Sequence, residues 1–111
     1  MITILVERSA ANNRINRFTI SGHADYGEHG EDIVCAAVSA VSIGTVNAIE
    51  KLAGVELPAQ MKDGWLKSSI PLLNDQEAEG KTQLLLESML TMLTSISESY
   101  SKHVSVKERR S

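Results

Sequence analysis

Apolar and polar positions alternate at the start of the chain. Ile2, Ile4 and Val6 interleave with Thr3, Leu5 and Glu7, the two-residue period of a strand. Ala10-Ala11-Asn12-Asn13 reads as a turn. Ile15 to Ile20 reads as a second strand with Phe18 and Ile20 on one face, so the chain opens with a hairpin. From Gly22 to Glu31 the pattern is polar. Asp32 then reads as a helix N-cap, because its carboxylate can accept from first-turn N–H groups that lack helical partners. The helix predicted from there runs from about Ile33 to Ala53. Ile33, Ala37, Val41, Ala48 and Leu52, with Val34, Val38 and Ile49, give it a wide apolar surface. Gly54 ends it, since glycine takes the left-handed conformation readily.

Val55 to Met61 reads as a strand, with Pro58 marking an edge or an irregular position. Lys62-Asp63-Gly64 is a hairpin turn of the Asp-Gly kind, and Trp65 to Ile70 is the returning strand. Asn74 to Gly80 is a polar connection. A second helix is predicted from Asp75 or Gln76 to Tyr100, with Leu85, Met89, Met92, Leu93, Ile96 and Tyr100 at helical spacing. Val104 and Val106 alternate with His103, Ser105 and Lys107 in a short last strand. The predicted order is ββαββαβ. It is an α/β fold, a small mixed sheet with two helices, two-layer or sandwich-like. No repeat, low-complexity segment or linker interrupts it, so residues 1–111 read as a single domain.

Composition adds little to that picture except in three places. Aromatic residues make up only 4% of the 111 residues, so the core must be aliphatic. The single cysteine excludes an internal disulfide and favours a reducing, cytoplasmic setting. Met1 leads straight into ITILVE, with no sign of a signal peptide. The apolar run Ile33 to Leu52 is broken by Ser39, Ser42, Thr45, Asn47, Glu50 and Lys51, a buried helix rather than a membrane span. The net charge is −3, and the only basic cluster, Lys107, Arg109 and Arg110, reads as a solvated end. Direct nucleic-acid binding is therefore disfavoured as the main activity.

The candidate chemistry sits where the polar loop meets the first helix. With Asp32 as the cap, Cys35 is the third helical residue. Its sulfur lies near unpaired N–H groups and the positive end of the helix dipole, which favour a thiolate. The Asp32 charge works against this. His23, at the end of the second strand, is the obvious positive partner and base. Cysteine plus histidine is the minimal set for acyl transfer. The backbone N–H groups of Cys35 and Ala36 are candidate oxyanion donors. Asp32 is a candidate to orient His23, and Ser39, one turn after Cys35, a candidate to bond the thiolate, the histidine or a substrate carbonyl. Each residue also has a plainer reading: Cys35 as a small buried hydrophobe, His23 as a hydrogen-bonded structural histidine, Asp32 as a cap only, Ser39 as packing, and Gly22, Gly27 and Gly30 as turn glycines. His23, Asp25, His29 and Cys35 could ligate a metal, but no paired ligand spacing is present. A redox role would want a second nearby cysteine.

The stretch Gly22-His23-Ala24, a short glycine-containing loop, then Gly30-Glu31-Asp32-Ile33-Val34-Cys35-Ala36-Ala37-Val38-Ser39-Ala40 closely resembles the Prp family, the ribosomal-processing cysteine proteases of Firmicutes and related bacteria. The resemblance extends through Asn47-Ala48-Ile49 and the leucine-rich second helix ending at Ser99-Tyr100. It implies a cysteine endopeptidase that removes the N-terminal extension of a large-subunit ribosomal protein, the twenty-seventh in the usual naming. It implies Cys35 as nucleophile and His23 as base, with Asp32 and Ser39 as supporting residues. It implies a homodimer that needs no cofactor or metal. The family's mobile loop falls on Ala24, Asp25, Tyr26, Gly27, Glu28, His29, Gly30 and Glu31, with Gly22 at its root. The acidic Asp25, Glu28, Glu31 and Asp32 suit a basic ribosomal chain, Gly27 and Gly30 suit opening and closing, and Tyr26 is placed to cover an apolar substrate side chain. The alternative is a non-catalytic ribosome-assembly or interaction module that binds the same basic partner.

Overall fold

The computed structural model describes residues 1–111. The order of elements is β1 (Ile2–Arg8), β2 (Ile15–Gly22), α1 (Ile33–Ala53), β3 (Ala59–Lys62), β4 (Trp65–Ser69), α2 (Gln76–Ser99) and β5 (Val104–Arg110). This is the predicted ββαββαβ order, and the sheet is mixed, with strands in the order β3-β4-β2-β1-β5. All neighbours are antiparallel except β1 and β5, which run parallel.

Both helices cross over the same face of the sheet. The chain leaves β2 through α1 to reach β3 on one side, and leaves β4 through α2 to reach β5 on the other. β2 and β4 are antiparallel. Two crossovers of the usual right hand, starting from opposed strands and moving in opposite directions, lie on one face. The result is two layers. The alternation in β1 fits it: Ile2, Ile4, Val6 and Arg8 are buried while Thr3, Leu5 and Glu7 face the open side. Across the sheet the buried row continues through Phe18, Ile20, Leu66 and Val104. These pack against Val34, Val38 and Ile49 of α1 and Leu86, Met89, Leu90 and Leu93 of α2.

Several boundaries and faces differ from the sequence reading. Val55 and Leu57 are buried, yet residues 55–58 join no strand, and β3 begins only after Pro58, which has no N–H to donate. The buried stripe of α1 is Val34, Val38, Ser42, Thr45 and Ile49, whereas Ile33 and Leu52 stand in solvent. The small hydroxyl residues fit the stripe because each hydroxyl bonds the carbonyl one turn back: Ser42 to Val38 at 2.7 Å and Thr45 to Val41 at 2.6 Å. α1 is apolar enough over its length to cross a membrane, but here that stripe lies in the core. Met92, counted into the apolar face of α2, is 43% exposed, and Leu86 takes the buried place instead. The basic tail is exposed to solvent, as read, but it is also ordered. It is the second half of β5, where Arg109 bonds Glu7 at 2.6 Å and Arg110 bonds Asn13 at 2.8 Å.

Arg8 ties three elements together. From β1 its guanidinium donates to both carboxylate oxygens of Glu87 on α2, at 2.6 and 2.7 Å, and to Glu108 on β5 at 2.8 Å. These bonds, foremost that to Glu87, hold Arg8 further toward the charged form and Glu87 below its ordinary range.

Candidate active site

The end of β2 delivers the candidate base. Gly22 closes the strand with φ at +93°, and a side chain there would meet the Met1 carbonyl oxygen at 2.2 Å. Only glycine fits, so the chain can turn out of the sheet at once into His23. Gly22 also donates to the Gly64 carbonyl at 2.7 Å, which brings the β3–β4 turn beside the histidine. Gly64 then matters as space: a Cβ there would lie 3.0 Å from His23 Nε2. The sequence reading had Gly64 only as a turn residue. On another side His29 meets the His23 ring edge-on, with centroids 5.8 Å apart.

Asp32 is a cap, and more than a cap. One carboxylate oxygen accepts from Val34 and Cys35, at 2.9 and 3.1 Å. The other accepts from Tyr26 and Gly27, at 2.9 and 3.0 Å. Its near-complete burial pushes the carboxyl up, but the four donors, Gly27, Cys35, Tyr26 and Val34, outweigh that and hold it below its ordinary value. Asp32 thus fastens the loop to the helix. It does not orient His23, as the sequence had suggested, because its acceptors are spent on backbone amides.

The same accounting corrects the oxyanion assignment. The Cys35 N–H is taken by the Asp32 side chain and the Ala36 N–H by the Asp32 carbonyl at 3.0 Å. A well-capped helix start leaves neither donor free. The amide that does point at the sulfur comes from the loop: Ala24 N–H lies 3.3 Å from Cys35 Sγ. Ala24 is 1% exposed, the one buried residue among 22–31.

Cys35 is a free thiol and partly exposed. It lines a groove of about 520 Å³ whose walls are the Cys35–Val38–Ser39–Ser42 side of α1, the loop from His23 to Gly30, and Met61 to Leu66 of the β3–β4 hairpin. Cys35, His23, Asp32 and Ser39 therefore share one groove. Among the side-chain hydrogen bonds His23 makes none to Sγ, and the exposed Ser39 hydroxyl makes none. No three His, Cys, Asp or Glu side chains converge as a metal site.

The loop from Ala24 to Glu31 is folded onto the domain. Asp25 takes a left-handed φ of +54° and lies 3.6 Å from the Met1 amino group. Tyr26, read as a cover for substrate, packs edge-on against Tyr100 and His103, with centroids 5.4 and 5.2 Å away. Glu31 N–H closes a turn onto the Glu28 carbonyl at 2.9 Å. Tyr100, His103 and the β3–β4 turn were absent from the sequence-derived site. Nothing local to them carried a signal, since the sheet and α2 bring them in from far along the chain.

The sequence pattern of the family described as cysteine protease Prp matches residues 1–105. The chain belongs to this family. It is 40% identical over 108 residues, 96% of each chain, to the ribosomal processing cysteine protease Prp of Bacillus subtilis. Over 91 residues, 82% of this chain and 84% of the relative, it is 36% identical to the Staphylococcus aureus protein of the same name. The crystal structure of the essential ribosomal processing protease Prp from S. aureus, in complex with a covalently linked product peptide, matches at a TM-score of 0.86 and 34% identity, covering 97% of this chain and 99% of that one. Membership in the Prp family makes this chain a cysteine protease, a hydrolase. Its one cysteine is Cys35.

Proposed function

We propose that the chain is an endopeptidase that removes the N-terminal extension of a large-subunit ribosomal protein, the twenty-seventh in the usual naming, during ribosome maturation. The observation that carries this reading is the position of Cys35: the only thiol, at a capped helix start, partly exposed in a groove it shares with His23. The relatives are named ribosomal processing proteases, and an S. aureus relative is described with a substrate peptide.

In this mechanism His23 takes the Cys35 proton, and the thiolate attacks the scissile carbonyl. The imidazolium then protonates the leaving amine, and water hydrolyses the thioester. His23 packs beside Gly64 and His29 and lines the same groove as Cys35, and proton transfer needs its ring nitrogen within hydrogen-bond reach of the sulfur. The protein acts as a homodimer in the cytoplasm. Exposed Ile33, Leu52, Leu84 and Met92 leave apolar surface on both helices for a second copy, and a lone thiol suits a reducing compartment.

The test is to incubate the protein with the extended and the shortened precursor and weigh the products by mass spectrometry. The wild type should shorten only the extended form. Cys35→Ala should stay folded and cut at least a thousandfold more slowly, with His23→Ala close behind, on the order seen when a nucleophile or its base is removed. A Cys35→Ala protein cutting at the wild-type rate would overturn the assignment. The non-catalytic module is not favoured; in that reading the thiol would resist iodoacetamide until the protein unfolds.

A further inference from the structure

His103 stands in the turn between α2 and β5, 79 positions from Ala24, yet its ring Nδ1 lies 2.8 Å from the Ala24 carbonyl oxygen. A carbonyl only accepts, so Nδ1 carries the proton in this contact. On its other side Ala24 directs its N–H at Cys35 Sγ from 3.3 Å. One buried residue is therefore held by an imidazole and holds a sulfur.

The imidazole is itself well anchored. His103 N–H donates to the Tyr100 carbonyl at 2.8 Å, and its carbonyl accepts from Ile2 at 2.9 Å. Tyr26 packs across the ring. Ala24 needs such an anchor, because it sits between the φ of +93° at Gly22, two residues back, and the left-handed Asp25. No regular element sets the direction of its peptides.

We propose that His103 is a positioning residue of the protease: it fixes Ala24 so that the Ala24 N–H stays aimed at the Cys35 sulfur and sustains the thiolate. A hydrogen bond to the charged form of a group favours that form. The inference rests on Cys35 as the nucleophile. Its readout, however, is the thiol itself and needs no substrate, so the two readings fail separately.

Two variants separate the donor from the ring. Asparagine places an amide N–H at the same number of bonds from the backbone as Nδ1, without the ring; phenylalanine keeps a ring without the donor. The rate of iodoacetamide alkylation is followed against pH for each. His103→Phe should slow alkylation at neutral pH about tenfold and lower kcat by a similar factor, with KM little changed. His103→Asn should stay near wild type. The other titratable groups on the groove, His23, His29, Asp25, Asp32, Lys62 and Asp63, are the same in both variants. A wild-type profile for His103→Phe, or an impaired His103→Asn beside a normal His103→Phe, would overturn the proposal. If His103→Phe fails to fold, the unmodified protein decides. Long-range proton–nitrogen spectra at neutral pH should find the proton on Nδ1, and a ring protonated on Nε2 alone sinks the idea.

Discussion

Asp32 stands three residues before Cys35 and gives both carboxylate oxygens to backbone amides, two from the loop and two from the helix. Its value therefore depends on charge and on having two equivalent acceptors. Asparagine keeps one oxygen. In Asp32→Asn that oxygen can cap Val34 and Cys35, while the amide nitrogen faces the Tyr26 and Gly27 N–H groups. Amide hydrogen exchange should speed up at Tyr26 and Gly27 and change little at Val34; equal protection at all four would refute this split. The pH dependence follows from the depressed folded value. The stabilisation by Asp32 is fully present above the ordinary carboxyl value of 3.8 and is lost as pH falls through the lower folded value. Acid unfolding of Asp32→Asn should lack that component.

At the scale of elements, the corner where β1, β5 and α2 meet is held by one side chain. Arg8 is 6% exposed, and its partners Glu87 and Glu108 reach out to water, each with 44% of the side chain exposed. Solvent at the carboxylate end limits the cost of breaking the network. Arg8→Met should lower unfolding stability by about 2–3 kcal/mol, less than a wholly buried pair would lose. Urea unfolding measures it, and a loss under about 0.5 kcal/mol would mean the pair is worth no more than a surface ion pair. Arg14 does similar work about two helical turns back along α2, bonding Glu79 at 2.6 Å and the Pro71 carbonyl at 2.6 Å. The β1–β2 turn is thereby fixed to α2, leaving the other end of β2 to present His23.

For the molecule as a whole, charge is unevenly spread. The formal net charge is −3, and the groove is lined by Asp25, Asp32 and Asp63, with Lys62 as its one cation. Exposed Glu28 and Glu31 stand next to it in the loop. A basic peptide is drawn to such a rim over a distance set by salt, about 10 Å at 0.1 M. Raising salt from about 0.05 M to about 0.5 M should lower kcat/KM for a basic precursor peptide severalfold and leave kcat nearly unchanged. Steady-state kinetics at the two salt levels decide it; a salt-independent kcat/KM would show that the rim does not steer substrate.

The sequence by itself determined what a few neighbouring residues can impose. Alternation marked β1, Asp32 announced α1 and Gly54 its end, and the order of elements followed. The motif joining His23 to Cys35 pointed to the family and to the groove's chemistry. Tertiary structure alone decided who bonds whom at that groove. It turned Ala24 toward the sulfur and set Gly64 beside His23. It also brought Tyr100 and His103 against the loop and drew the basic tail into β5. The reason is physical. Helix caps and strand alternation depend on stereochemistry within a few residues, whereas a buried donor finds its acceptor through strand register and helix packing, which join positions far apart in the chain.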